Sequence, residues 1–235
     1  MPASPAEPPR TSRHAAACLE ALRGCEAAAC LSLGGAFGLA HYHQYRTTND
    51  VDAWWTESAI AADKSCVLDR VQAALQPFGT VSRREHGEVV SIELREAGQT
   101  LFSFQVARRS VQIGTTRPSP WPPVGLDSLE DLIAAKMAAL IARGAPRDFL
   151  DIRELCRVGL ASVAECWRLW RCREEKRGVS APDTAIAREA VLLHLSRIEK
   201  MRPLSDIADN ADRERAAATR VWFKHEFIGE RHPLD

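Results

Sequence analysis

No stretch of this 235-residue chain is apolar enough to cross a membrane: runs 27–40 and 132–142 are the longest. Gly34 and Gly35 break the first, Lys136 breaks the second, and both fall short of the roughly 18 residues a span requires. Net charge is missing too. The 31 basic and 31 acidic residues cancel, so no global field advertises nucleic acid or an acidic membrane surface, and any polyanion site must be local. There is no Cys-x-x-Cys pair and no cysteine at zinc-finger distance from a histidine. The seven cysteines, odd in number and irregularly spaced, read as reduced and mostly buried thiols of a cytoplasmic protein. No internal repeat is visible. Residues 1–13 are rich in Pro, Ala and Ser without an apolar run, which predicts a disordered lead-in outside the fold and argues against a secretory signal.

What is present suffices for a sizeable core. With 46% hydrophobic and 26% charged residues, the chain suits one elongated domain or two small ones. Residues 14–29 are Ala-rich with Leu19 and Leu22 at helical spacing, and Gly24 divides them into one or two short helices. A short apolar strand, 30–33, ends at Gly34-Gly35 and leads into helical composition at 36–43. Residues 50–55 alternate Asp with apolar side chains, the period of a strand with one polar face. A helix follows over 64–75, then a hairpin of 88–95 and 100–108 joined by Glu96-Ala97-Gly98-Gln99. After the Pro-rich connector 117–124, everything beyond Ser128 reads as helix, broken at Gly144-Ala145-Pro146, at 178–182 and at Pro203. This order predicts an α+β fold: a mixed sheet with flanking helices over 14–125, then a helical C-terminal region over 126–235.

Three physical demands meet in one string. Adjacent glycines between strand and helix let the backbone approach an anion, and a helix N-terminus offers unpaired N–H groups to phosphate, here those of a triphosphate. Asp50 and Asp52, two apart on a strand, project to one side about 6.5 to 7 Å apart. Carboxylates so placed suit two magnesium ions bound together with a nucleoside triphosphate.

The glycine turn Gly34-Gly35 and the run Arg46-Thr47-Thr48-Asn49-Asp50-Val51-Asp52 resemble the nucleotidyltransferase signature of the AbiEii/AbiGii family of abortive-infection toxins. A second block fits the same family: Leu129-Glu130-Asp131-Leu132, Lys136, Ala139-Leu140, Arg143, then Arg147-Asp148-Phe149-Leu150-Asp151. The resemblance covers about 29–155. It implies a polymerase β-like core and transfer of a nucleotidyl group from a nucleoside triphosphate to a hydroxyl. It also implies an RNA acceptor such as the 3′ end of transfer RNA and a toxin–antitoxin setting with a cognate antitoxin; the short apolar runs, for their part, predict no membrane partner. Asp50 and Asp52 would hold metal, Gly34, Gly35, Arg46 and Thr48 would bind nucleotide, and Lys136, Asp148 and Asp151 would complete the catalytic set. One position departs from the superfamily pattern: Ser103 stands where a third acid is expected, so Glu93, Asp148 or Asp151 must supply it, or the chain is a catalytically impaired nucleotide- or protein-binding module. Modification of a small molecule uses the same fold.

Structural readings compete at each position. Gly-Gly alone is most often a turn, and Asp-x-Asp alone a solvated strand face; their joint order and spacing favour the catalytic reading. Arg46 either pairs with an acid such as Glu57 or faces the nucleotide or the Asp pair. Lys136 either reaches a phosphate or snorkels from the apolar stripe of a helix capped by Asp127 or Ser128, and Asp148 either acts in the site or starts a helix. His41 and His43, at i,i+2 on a helix, point apart and make no metal pair. Trp167 and Trp170 read as core, and the basic end 168–177 as a solvated helix terminus.

Overall fold

The computed structural model describes residues 4–229; residues 1–3 of the lead-in and 230–235 of the helical region lie outside the described residues. The chain divides into two compact units, Met1–Leu132 and Ile133–Asp235. The division falls within a helix rather than at the connector, because that helix's first turn is tied into the first unit by Asp131, as described below.

The first unit opens with α1 (Arg13–Leu22), capped by the Ser12 side chain, and a 3-10 turn over Glu26–Cys30. Gly24, at φ +69°, breaks the two apart as its sequence position suggests. Then come β1 (Leu31–Gly34), α2 (Gly35–Ala40), β2 (Asp50–Trp55) and α3 (Ala61–Leu75). A meander of β3 (Thr80–His86), β4 (Val89–Glu96) and β5 (Gln99–Arg108) follows, and two short strands, β6 (Arg117–Pro118) and β7 (Gly125–Leu126), end the series. All seven strands form one mixed sheet in the order β3-β4-β5-β2-β1-β7-β6. The β4–β5 turn places Ala97 at φ 48° and Gly98 at φ 82°, two successive left-handed residues of the kind a two-residue hairpin loop favours. The connector, expected as loop, supplies β6, and β7 follows directly after it; β7 pairs antiparallel with β6 and parallel to the free edge of β1.

The sheet is two-faced. Val51, Ala53 and Trp55 of β2 are buried together with Phe104 and Val106 of β5 and Ile92 and Leu94 of β4. Against them lie Leu19 and Leu22 of α1 and a stripe of Val67, Leu68, Val71 and Leu75 on α3. Each buried Val, Leu, Ile or Phe among them contributes about 1.5 to 3 kcal/mol by leaving water. The alternate residues of β2, Asp50, Asp52 and Trp54, are only half-buried and occupy the opposite face. From residue 4 the lead-in runs beside α2: the Ala6 amide donates to the His41 carbonyl at 2.8 Å, Gln44 bonds both backbone groups of Arg10, and Pro8 is buried.

Helix α4 (Leu129–Ala142) runs across the division, and the second unit continues with α5 (Pro146–Arg157), α6 (Val163–Lys176), α7 (Thr184–Met201) and α8 (Asn210–Trp222). Breaks at 143–145, 177–183 and 202–209 agree with the Gly and Pro signals, whereas the break at 158–162 was not expected. Ser162, Asp183 and Asp209 cap α6, α7 and α8 with their side chains. An aromatic cluster fills the core of this unit: Phe149 meets Phe223 at 4.7 Å between ring centroids, and Trp167 meets Phe227 at 5.2 Å. Trp167 and Trp170 are therefore core, as read from their spacing. Among the described residues, no helix is long and apolar enough to cross a membrane.

Candidate functional site

The polar face of the sheet gathers the first group of sequence-predicted residues. β1 and β2 pair antiparallel with Gly34 opposite Asp52, so the glycine turn and the second aspartate sit side by side. Gly35 adopts φ +58°, and a Cβ there would fall 1.9 Å from Asp52 Oδ2. A side chain there would have to displace the Asp52 carboxylate, which occupies the volume it needs, and the backbone conformation is one L-residues disfavour. Gly34 is constrained on its other side, where a Cβ would lie 2.2 Å from the indole nitrogen of Trp54. The glycine pair thus makes room for a carboxylate and an indole on the same face.

Asp50 is held from two directions. The Thr48 hydroxyl accepts from the Asp50 amide at 3.1 Å and lies 3.3 Å from its carbonyl, fixing the backbone where β2 begins. From the parallel neighbour β5, the Ser103 amide donates to the Asn49 carbonyl at 3.1 Å and the Ser103 hydroxyl donates to Asp50 Oδ1 at 2.6 Å. Ser103 is level with Asp50 and Gln105 with Asp52. Gln105 Nε2 in turn lies 3.3 Å from Ser103 Oγ. Arg46, beyond the end of α2, has its guanidinium 5.9 Å from the Tyr45 ring centroid.

Glu93 lies opposite Ser103 on β4, which puts it on the same face as Asp50 but two strands away, about 10 Å at the usual strand spacing. Its carboxylate is within 3.9 Å of both Arg84 and Arg95. A group at the rim of this face was not foreseen. Asp127, at the end of β7, accepts from Ser32 Oγ at 2.5 Å and is ion-paired with Arg109. Burial pushes its carboxyl above the usual Asp range, opposed by Arg109 and by the Ser32 hydrogen bond. Ser32 and Asp127 are 95 positions apart, and no local pattern links them.

The helical unit gathers the remaining residues. Lys136 of α4 and Asp151 of α5 form a buried ion pair at 2.6 Å. Asp148 accepts two bonds from Arg143, at 2.9 and 3.0 Å, and one from the Ala145 amide at 3.2 Å, which makes it the side chain that starts α5. Both carboxylates are fully buried, so each needs its cation. Asp50, Asp52, Gly34, Gly35, Arg46 and Thr48 thus belong to the sheet unit, and Lys136, Asp148 and Asp151 to the helical unit.

Among the described residues, no three His, Cys, Asp or Glu side chains form a cluster able to hold a metal by themselves. The donor set nevertheless fits magnesium, which typically takes one or two protein carboxylates and completes its shell with water and substrate phosphates. Asp50 Oδ2 has no protein partner among the described residues, and Asp52 projects on the same face.

A family model described as "Nucleotidyl transferase AbiEii toxin, Type IV TA system" matches residues 18–222. No curated protein and no solved structure matches the chain.

Proposed function

The chain belongs to the AbiEii nucleotidyl transferase toxin family, and from that premise we propose that it transfers a nucleoside monophosphate from a nucleoside triphosphate to a hydroxyl on RNA, with a polymerase β-like core. The observation that carries this reading is the pairing of Gly34-Gly35 with Asp52, which sets a carboxylate pair on the one polar face of a central strand. Magnesium bound there would offset the charge of the triphosphate and activate the attacking hydroxyl. Asp50 and Asp52 would hold that metal, Thr48 and Ser103 fix the first of them, and the missing Cβ atoms of the glycine turn leave room for the Asp52 carboxylate beside it. The hydroxyl oxygen bonds to the α-phosphorus as the bond to pyrophosphate breaks. By family, transfer RNA is the proposed acceptor, the partner is an antitoxin, and the setting is the cytoplasm. Arg46, Lys136, Asp148 and Asp151 enter this proposal from the sequence, Arg46 as a nucleotide contact and the other three as catalytic, each to be tested by its own variant.

Ser103 in place of an acid favours a second reading, a nucleotide- or protein-binding module without transfer. Incubation with each labelled nucleoside triphosphate, magnesium and total RNA separates the two. Labelled RNA is expected; nucleotide binding without any labelled product would establish the second reading. Asp50→Asn and Asp52→Asn should abolish labelling while leaving the melting temperature unchanged or raised, since carboxylates gathered for metal repel one another without it.

A further inference from the structure

We infer that Ser103 and Gln105 form a positioning relay that orients Asp50 as a one-oxygen metal ligand, taking over part of the work a third acid would do. The inference rests on the magnesium-binding role proposed for Asp50. It is carried by the directions of three hydrogen-bonding groups in one row across two strands.

A carboxylate only accepts, and a serine hydroxyl has a single proton. At 2.6 Å from Asp50 Oδ1, that proton must lie on the Asp50 side. Ser103 Oγ can then only accept from its other neighbour, so the Gln105 amide must turn its NH₂ towards it, across 3.3 Å. The direction of the relay follows from valence: Gln105 donates to Ser103, and Ser103 donates to Asp50. The hydroxyl rotor is thereby locked before any ligand arrives, and Ser103 is only 4% exposed, so water competes poorly for it.

The consequence falls on Asp50. Its Oδ1 is directed at β5, while Oδ2 keeps its lone pairs and has no protein partner among the described residues. A carboxylate bonded in this way would offer Oδ2 to a cation, with its plane held by the Ser103 bond. An acid at 103 would bring a second negative charge level with Asp50 across the parallel pair β2–β5. Ser103 leaves that charge out and keeps the geometry. Outer-shell partners of metal-binding carboxylates typically carry about 10- to 100-fold in metal affinity.

The test measures Mn²⁺ binding by electron paramagnetic resonance with a non-hydrolysable nucleoside triphosphate present, alongside the magnesium dependence of transfer. Ser103→Ala should raise the Mn²⁺ dissociation constant about 10-fold or more. The magnesium concentration for half-maximal rate should rise in parallel, while kcat at saturating magnesium changes less. Ser103→Thr keeps the hydroxyl on a strand-compatible side chain and should restore both values to within about threefold of wild type. Gln105→Leu should weaken binding by a smaller factor, and its effect should vanish in the Ser103→Ala background, because the relay then has no middle member. Melting curves accompany each variant; should Ser103→Ala fail to fold, Gln105→Leu and the threonine variant decide the matter. Wild-type affinity in Ser103→Ala, or additive effects of the two substitutions, would overturn the relay and leave the Asp50–Asp52 reading standing. Absence of Mn²⁺ binding by the wild-type protein would overturn both.

Discussion

His41 illustrates how a single side chain ties the stability of this fold to pH. It follows α2, is 3% exposed, and lies edge-on to Phe37 and Trp121 at 5.2 and 5.8 Å between centroids. Its Nδ1 is 3.0 Å from the Phe37 carbonyl, which only accepts, so the proton of the neutral ring is on Nδ1. Nε2 is buried with no partner among the described residues. Protonation would add a donor with nothing to receive it, and burial accordingly lowers the ring's pKa from the ordinary 6.5. The unfolded chain then binds more protons than the folded one below about pH 6.5, so stability present above that value is lost as pH falls towards the folded pKa. The melting temperature of the wild type should fall between pH 7.5 and 5.5. That of His41→Leu should fall less over the same interval. Parallel curves for the two proteins would remove His41 as the cause.

At the scale of elements, the start of α4 carries the most consequential polar contacts outside the glycine turn. Ser128 Oγ accepts from the Asp131 amide at 3.1 Å, so Ser128, one of the two caps read from the sequence, opens the helix. The Asp131 carboxylate turns back and accepts from the Ile113 and Gly114 amides at 2.6 and 3.0 Å and from Ser128 Oγ at 2.6 Å. It thereby pins the loop after β5 to the helix. Asp131→Ala would remove the carboxylate that accepts from two part-buried backbone donors and should cost about 3 kcal/mol in chemical denaturation, with Asp131→Asn costing less. A loss below about 1 kcal/mol would mean that water satisfies both amides. The sequence revealed those elements whose signals are local. The strand–glycine–helix unit, the alternation of β2, the Ala97-Gly98 turn and the apolar stripe of α3 each follow from residues within a few positions of one another. Asp131 was visible only as part of a family block, because its partners lie 17 and 18 residues upstream in a loop without periodicity. β3 was missed for another reason: its residues are largely exposed and charged, as suits an edge strand, so no buried face marks the period. β6 and β7, two residues each, are too short to show a period at all. The relay from Gln105 to Asp50 is equally non-local: along the sequence Ser103 is only a departure from pattern, and it is β5 that brings it level with Asp50.

At the scale of the whole molecule, family membership predicts an effect on the cell that makes it. Induced expression in a bacterial host without the cognate antitoxin should arrest growth, and Asp52→Asn, produced at equal soluble level, should not. Equal arrest by both would separate toxicity from the carboxylate pair. Such an arrest is also a selection, because only cells that disarm the gene go on dividing. Changes in the buried core would release them by destroying the fold, but those sites tolerate many conservative exchanges. The codon for Gly35 tolerates none: every change at its first or second base adds a side chain or stops the chain, and a side chain there meets the Asp52 carboxylate. Among colonies that outgrow the arrest, missense changes should therefore be enriched at this codon and yield folded, soluble, harmless protein. The packing of one glycine against one aspartate becomes, in genetic terms, a mutational hot spot for escape.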